Sequence, residues 1–208
     1  MRDFPATLLT ITIWTYWLCV VFMIVRVRRR TRRLAGVVPE QRVERLMWLI
    51  WIPLVGCWLA LPYLAATQAH GALAVPEFAR HDPVFAKIRL AAAVGAVLCL
   101  ALTIECWLRM GKNWRMAVTP EEEPQLVTDG LYAYIRHPIY ALSILLMSCS
   151  VVVVPTIPMG IVAAIHILLM IAKARNEERF LLAKLGVRYA AYCERTGGFF
   201  PLLRTRHS

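Results

Sequence analysis

The densest run of chemically capable side chains in this 208-residue sequence is Gly130, Tyr132, Tyr134, Arg136, His137, Pro138 and Tyr140, directly before an apolar stretch. Tyrosine and arginine at such a boundary are ordinary membrane-interface anchors. A histidine beside a proline adds something that anchoring does not require. Arg136 and His137 stand where a helix N-terminus leaves N–H groups free, a setting suited to an anion such as a carboxylate.

A second constellation begins at Lys173. It reads as an amphipathic helix with apolar Phe180, Leu181, Leu182 and Leu185, breaking near Gly186. A shorter element with Tyr189 and Tyr192 follows, ending at Gly197-Gly198 before Pro201. Residues three or four apart share a helix face, so Lys173 pairs with Glu177 and Arg175 with Glu178. On a solvated helix such pairs contribute only about 0–1 kcal/mol each.

Taken together, Gly111-Lys-Asn-Trp114, Leu126-Val-Thr-Asp-Gly130, Tyr132, Tyr134 and Arg136-His-Pro-Ile-Tyr140 resemble the isoprenylcysteine carboxyl methyltransferase family. So do Glu177-Glu178, Leu181, Leu185-Gly186, Tyr189, Tyr192 and Pro201. Wider relatives of that family include phospholipid N-methyltransferases. The resemblance spans about residues 105–202, roughly half the chain. It implies a five-helix membrane enzyme that binds S-adenosylmethionine between a membrane hairpin and the C-terminal helix. That cofactor offers a carboxylate, an ammonium, a ribose, an adenine and a sulfonium. The resemblance implies that Gly130, Tyr132, Arg136, His137, Pro138, Tyr140, Glu178, Tyr189 and Tyr192 hold it. Glu177, Lys173 and Arg175 are the implied catalytic set, with the cations orienting a carboxylate acceptor, or Glu177 or Glu178 serving as base for an amine. The sequence departs from the family at Lys173, where arginine is usual, at Leu131, where proline is common, and at Leu142, where glycine is common. Arginine and lysine are not equivalent at a bidentate site, so both Lys173 and Arg175 stay open as the acceptor's partner. The expected acceptor is lipidic or amphiphilic and enters from the bilayer; an isoprenylcysteine-like carboxylate is favoured over a phospholipid amine or a small thiol.

The elements that must position these residues are membrane helices. Hydrophobic residues make up 59% of the chain, charged residues 18%, and mean hydropathy is +0.57. A soluble domain has roughly 45–50% apolar and about 25% charged residues. The net charge of +11 could suggest nucleic acid, but the arginines flank apolar runs, which a bilayer explains better. No G-x-G occurs, which removes the dinucleotide fingerprint. The six cysteines form no C-x-x-C and fall mostly in apolar stretches, so neither a disulfide framework nor a metal site is expected. The chain reads as one all-α membrane domain with five spans at 7–25, 46–66, 88–108, 139–154 and 159–172. The last two form a hairpin around Pro155-Thr-Ile-Pro158, because proline cannot continue a helical hydrogen-bond ladder. The cytoplasmic segments would then be 26–45, 109–138 and 173–208. They hold 20 of the 24 basic residues, which puts the N-terminus outside and the C-terminus and site inside an inner or plasma membrane. Glu105 and His166 are ionisable groups within spans and therefore candidates for a site or for interhelical bonding.

Overall fold

The computed structural model describes residues 3–32, 39, 41–68, 70–117 and 124–202. The expected Thr119–Pro124 loop, apart from Pro124, lies outside the described residues, as do Arg2 and Arg33. Five long helices carry the fold: α1 (Phe4–Thr31), α2 (Arg42–Thr67), α4 (Pro83–Met110), α5 (Pro138–Val153) and α6 (Ile157–Leu185). Two short ones, α3 (Glu77–His81) and α7 (Val187–Cys193), and two single 3-10 turns at Gly111–Asn113 and Gly130–Ala133 complete it. Among the described residues the one strand-like feature is an isolated bridge between Ile135 and Gly197.

Local chemistry sets the helix ends. Asp3 caps α1 by accepting from Ala6 N at 3.0 Å, and Asp82 caps α4 by accepting from Val84 N and Phe85 N at 2.8 and 3.1 Å. Both caps precede a proline in the first turn, the pattern that proline's fixed φ favours. The Pro155–Pro158 segment breaks the chain into two helices that pack on one another, as the hairpin expectation required.

Four helices, α1, α2, α4 and α6, are long and apolar enough to cross a membrane. α5 has 16 residues, about 24 Å at 1.5 Å per residue, and falls short of a ~30 Å hydrocarbon core. The fifth apolar run does not end its helix at residue 172. No glycine or proline interrupts residues 161–185, so the fifth apolar run and the amphipathic helix form one 29-residue rod ending at Gly186, φ +52°. Its length of about 43 Å exceeds the bilayer core, and its last turns project beyond it. The bundle's exterior is correspondingly greasy: Leu18, Leu49 and Leu168 are 70, 71 and 67% exposed.

α4 packs along α5 and α1, while α6 packs on α5 and α2. At one end of the bundle Arg89 of α4, almost fully buried, grips both Asp3 carboxylate oxygens at 2.7 and 2.8 Å and donates to Val153 O at 2.8 Å. At the other end α1, α2, α4, α5 and α6 surround a cavity, closed by the 124–137 segment and α7.

Candidate active site

The cavity has two lobes, of about 120 and 130 Å³, that share Tyr132, His137, Tyr140, Lys173 and Glu177 as common walls. One lobe descends among the helices past Tyr16, Trp17, Trp51, Trp107, Ser143 and His166. The other faces α7 and the connecting segment, past Glu44, Asn113, Gln125, Phe180, Tyr189 and Tyr192. The first is lined chiefly by aromatic rings and the second by a mixture of charge, amide and phenol.

His137 organises the junction. Its Nε2 lies 3.1 Å from Glu178 Oε1, its Nδ1 lies 3.8 Å from Glu177 Oε2, and its ring stacks on Tyr140 at 5.5 Å between centroids. The adjacent backbone is tied to the C-terminal segment: Arg136 N donates to Gly197 O at 2.7 Å and His137 N to Gly198 O at 3.1 Å. The Arg136 side chain donates to Glu178 Oε1 at 2.8 Å and to the carbonyls of Cys193 and Thr196. Burial alone would lower its pKa, but the Glu178 carboxylate overrides that and holds the guanidinium charged. Two backbone N–H groups and part of the guanidinium thus fasten the 134–137 segment to residues 193–198, while Arg136 and His137 line both lobes.

The expected pairs on α6 are also redirected. Glu178 reaches across to Arg136 and His137. Lys173 donates to Met116 O and sits 5.9 and 5.8 Å from the ring centroids of Trp51 and Tyr140, a double cation–π arrangement. Arg175 is exposed and lines neither lobe. Of the two candidate cations, Lys173 is the one brought to the cavity. Pro138 lines the aromatic lobe at the start of α5. Gly130 lies outside both lobes; with φ +60° it turns the chain beneath Arg109, where an added Cβ would come within 2.6 Å of Nε. Arg109 in turn bridges Glu105 at 2.7 Å and Asp129 at 2.9 Å, so Glu105 clamps this turn and does not face the cavity.

Three phenols complete the polar lobe. Tyr192 donates to Tyr132 O at 2.6 Å. Burial pushes the Tyr192 phenol up to about 12, with Arg136 opposing, and raises Tyr132 and Tyr189 further, so all three stay protonated donors. The Tyr189 hydroxyl is buried without a hydrogen-bond partner among the described residues, an uncompensated polar group of the kind that normally costs about 1–3 kcal/mol. An orphaned phenol and a lysine as donors, carboxylates as acceptors and amides as both are the polar set that an amino-acid-bearing nucleoside calls for, so the residues fit S-adenosylmethionine.

Sequence reasoning placed α2 as a span but missed its contribution to the cavity. Its Glu44 is 1% exposed, lines the polar lobe, and approaches Asn176 Nδ2 of α6, which donates to Gln41 Oε1 at 2.9 Å. The available signal was the seven-residue spacing from Glu44 to Trp51, two turns along one helix face. His166, expected to bond to another helix, lies 2.9 Å from Ser143 Oγ of α5 and packs 5.2 Å from the Trp58 ring.

Residues 91–183 match the model of the Isoprenylcysteine carboxyl methyltransferase (ICMT) family. That stretch is similar to the ICMT family. The match starts earlier than the resemblance read from motifs and stops before Leu185-Gly186, Tyr189, Tyr192 and Pro201, so α7 and α2 are both outside it. It takes in α5, most of α4 and nearly all of α6, and with them His137 at the cap of α5, Tyr140, Lys173 and Glu177. No curated protein matches the chain. The four apolar helices make this an integral membrane protein, and its 91–183 stretch is similar to a methyltransferase family.

Proposed function

We propose that this protein transfers a methyl group from S-adenosylmethionine to the carboxylate of an isoprenylcysteine-like amphiphile. The observation that carries the reading is the junction of a polar and an aromatic lobe at His137, Tyr140, Lys173 and Glu177. Tyr189, Tyr192, Glu177 and the bonded amides of Asn113 and Gln125 would hold the cofactor, which supplies an electrophilic methyl on a sulfonium. Lys173 would orient the acceptor's carboxylate at the mouth of the aromatic lobe, and the rings of Trp51 and Tyr140 keep that ammonium in place. A carboxylate is ionised at neutral pH and needs no base. The protein's contribution is then to align donor and acceptor, which can be worth about 7–11 kcal/mol, and to exclude water.

An amine acceptor is the second reading, favoured by the two carboxylates Glu44 and Glu177 beside the single lysine. An amine must lose a proton, and Glu177 would take it. One assay separates the two: farnesylated cysteine analogue and phosphatidylethanolamine are offered separately with methyl-labelled cofactor. The expected product releases labelled methanol in alkali, as a carboxyl methyl ester does. Base-stable label in the lipid alone would replace the first reading by the second, and no transfer to either would sink both.

A further inference from the structure

Two indole N–H groups in the aromatic lobe have nothing to bond. Trp17 Nε1 of α1 and Trp51 Nε1 of α2 are buried without a hydrogen-bond partner among the described residues. Their rings meet at 5.3 Å and both line the lobe. Indole nitrogen usually finds a partner when buried, and Trp58 in the same cluster does: it donates to Ser150 Oγ at 3.1 Å. The orphans are therefore not a general consequence of packing seven tryptophans into a small bundle. Deeper in the same lobe, Ser143 and His166 are 4% and 2% exposed and bonded to one another, with the Tyr16 hydroxyl facing Ser143. Lys173 and His166 are seven residues apart on α6, which sets this polar floor about 10 Å below the junction. A compartment intended only for hydrocarbon has no use for such groups, each of which is expensive in a membrane interior.

We propose that the aromatic lobe receives a tail carrying a hydrogen-bond-accepting oxygen, a carbonyl or a hydroxyl, bonded by the indole N–H of Trp17 and Trp51. The polar floor at Ser143 and His166 closes the lobe behind it. The ligand class is an oxygenated amphiphile rather than a plain hydrocarbon chain. The inference rests on the methyl-acceptor reading only for which molecule brings the tail, and it narrows that reading: a simple isoprenyl chain is pure hydrocarbon, so the acceptor that fills this lobe carries an added oxygen on its tail, and the donors ask for that acceptor atom whatever the headgroup. A carbonyl oxygen, which only accepts, suits two N–H donors best. A hydroxyl could also donate to the floor.

The test is binding, independent of methyl transfer. Three labelled S-alkyl cysteine analogues of equal chain length are titrated into the full-length protein in detergent: one with a geranyl tail, one with the same tail ending in a ketone, one ending in a hydroxyl. The expected result is that both oxygenated tails bind about 2- to 10-fold tighter than the hydrocarbon, the range of one net hydrogen bond. In Trp17→Phe/Trp51→Phe, which keeps aromatic surface and deletes both donors, the ketone's advantage falls to about onefold. His166→Leu, by contrast, reduces the hydroxyl's advantage and leaves the ketone's, whereas His166→Gln restores it. Hydrocarbon binding as tight as ketone binding in the wild-type protein overturns the inference, and that comparison needs no variant to fold. So does binding of none of the three, or an unchanged ketone ratio in the double variant. Analogues that bind in this order but are never methylated would instead count against the proposed reaction.

Discussion

Glu177 and Glu178 are neighbours in sequence with different tasks, because a helix turns about 100° per residue. Glu178 points at Arg136 and His137 and fastens the segment before α5; Glu177 points into both lobes. Glu178→Gln should therefore lower stability. Losing a half-exposed charged hydrogen bond costs about 1.5 kcal/mol, or roughly 3–6 °C in the melting temperature of a chain this size, read by thermal unfolding in detergent. Glu177→Gln should melt close to the wild type yet weaken cofactor binding or turnover about 10- to 150-fold, the effect of removing a charged partner. Equal melting losses in the two variants would erase the distinction. The same logic separates the cations. Lys173→Met keeps the stem that lies between Trp51 and Tyr140 but removes the charge, and kcat/KM for a carboxylate acceptor should fall about 10- to 150-fold. Arg175→Ala, on the exposed face, should change it less than about twofold, as surface substitutions do. A larger effect of Arg175 than of Lys173 would return the acceptor's cation to the outer face of α6.

At the scale of elements, the apolar runs, the proline-bounded hairpin and the helix-ending glycines could all be read from the sequence, because each is a local property. That one helix runs unbroken through Lys173 was less plain. The apolar pattern ends there but the backbone has no reason to, and polarity marks where a helix leaves the membrane rather than where it ends. The contribution of α2 was equally hidden. Glu44 and Trp51 meet Lys173 only because α2 packs on α6, and no periodicity within either helix encodes that neighbour. The Arg136-His137-Pro138 motif was recognisable as important, but its partners at Gly197 and Gly198 are sixty residues away, so its fastening role was not. The turn at Gly130 combines a local and a distant cause. Its φ of +60° and the Arg109 side chain packed 2.6 Å from the place of a Cβ both exclude a larger residue. Gly130→Ala should cost about 1–3 kcal/mol through the left-handed backbone and loosen the Glu105–Arg109–Asp129 bridge. The expected signature is faster proteolysis within the 124–137 segment, with the melting temperature falling by several degrees. An unchanged proteolytic pattern would show that the turn tolerates a Cβ.

Over the whole molecule, chemistry is segregated between the two ends of the bundle. One end holds both lobes and their titratable groups. The other is locked by Arg89, which joins α1 through Asp3, α5 through Val153 O and α3 through Ala79 O at 3.4 Å. Removing one member of such a buried pair is costlier than never having had it, about 3–5 kcal/mol, so Asp3→Asn should reduce stability more than any surface charge change while leaving the distant lobes intact. Segregation also bears on orientation. The proposed arrangement, with the lobes on the cytoplasmic side, follows from the 20 of 24 basic residues in segments 26–45, 109–138 and 173–208. Positive charge is retained on the side of synthesis, and the inverted arrangement would require that excess to cross the bilayer. Two exposed positions report on it: His70, whose side chain is 83% exposed between α2 and α3, and Arg195, exposed just after α7. In a background without native cysteines, an impermeant thiol reagent applied to intact cells should label His70→Cys and spare Arg195→Cys. Inverted vesicles should give the opposite pattern. Labelling of Arg195→Cys from outside would turn the bundle over and place methyl transfer on the face away from the cell's cofactor pool.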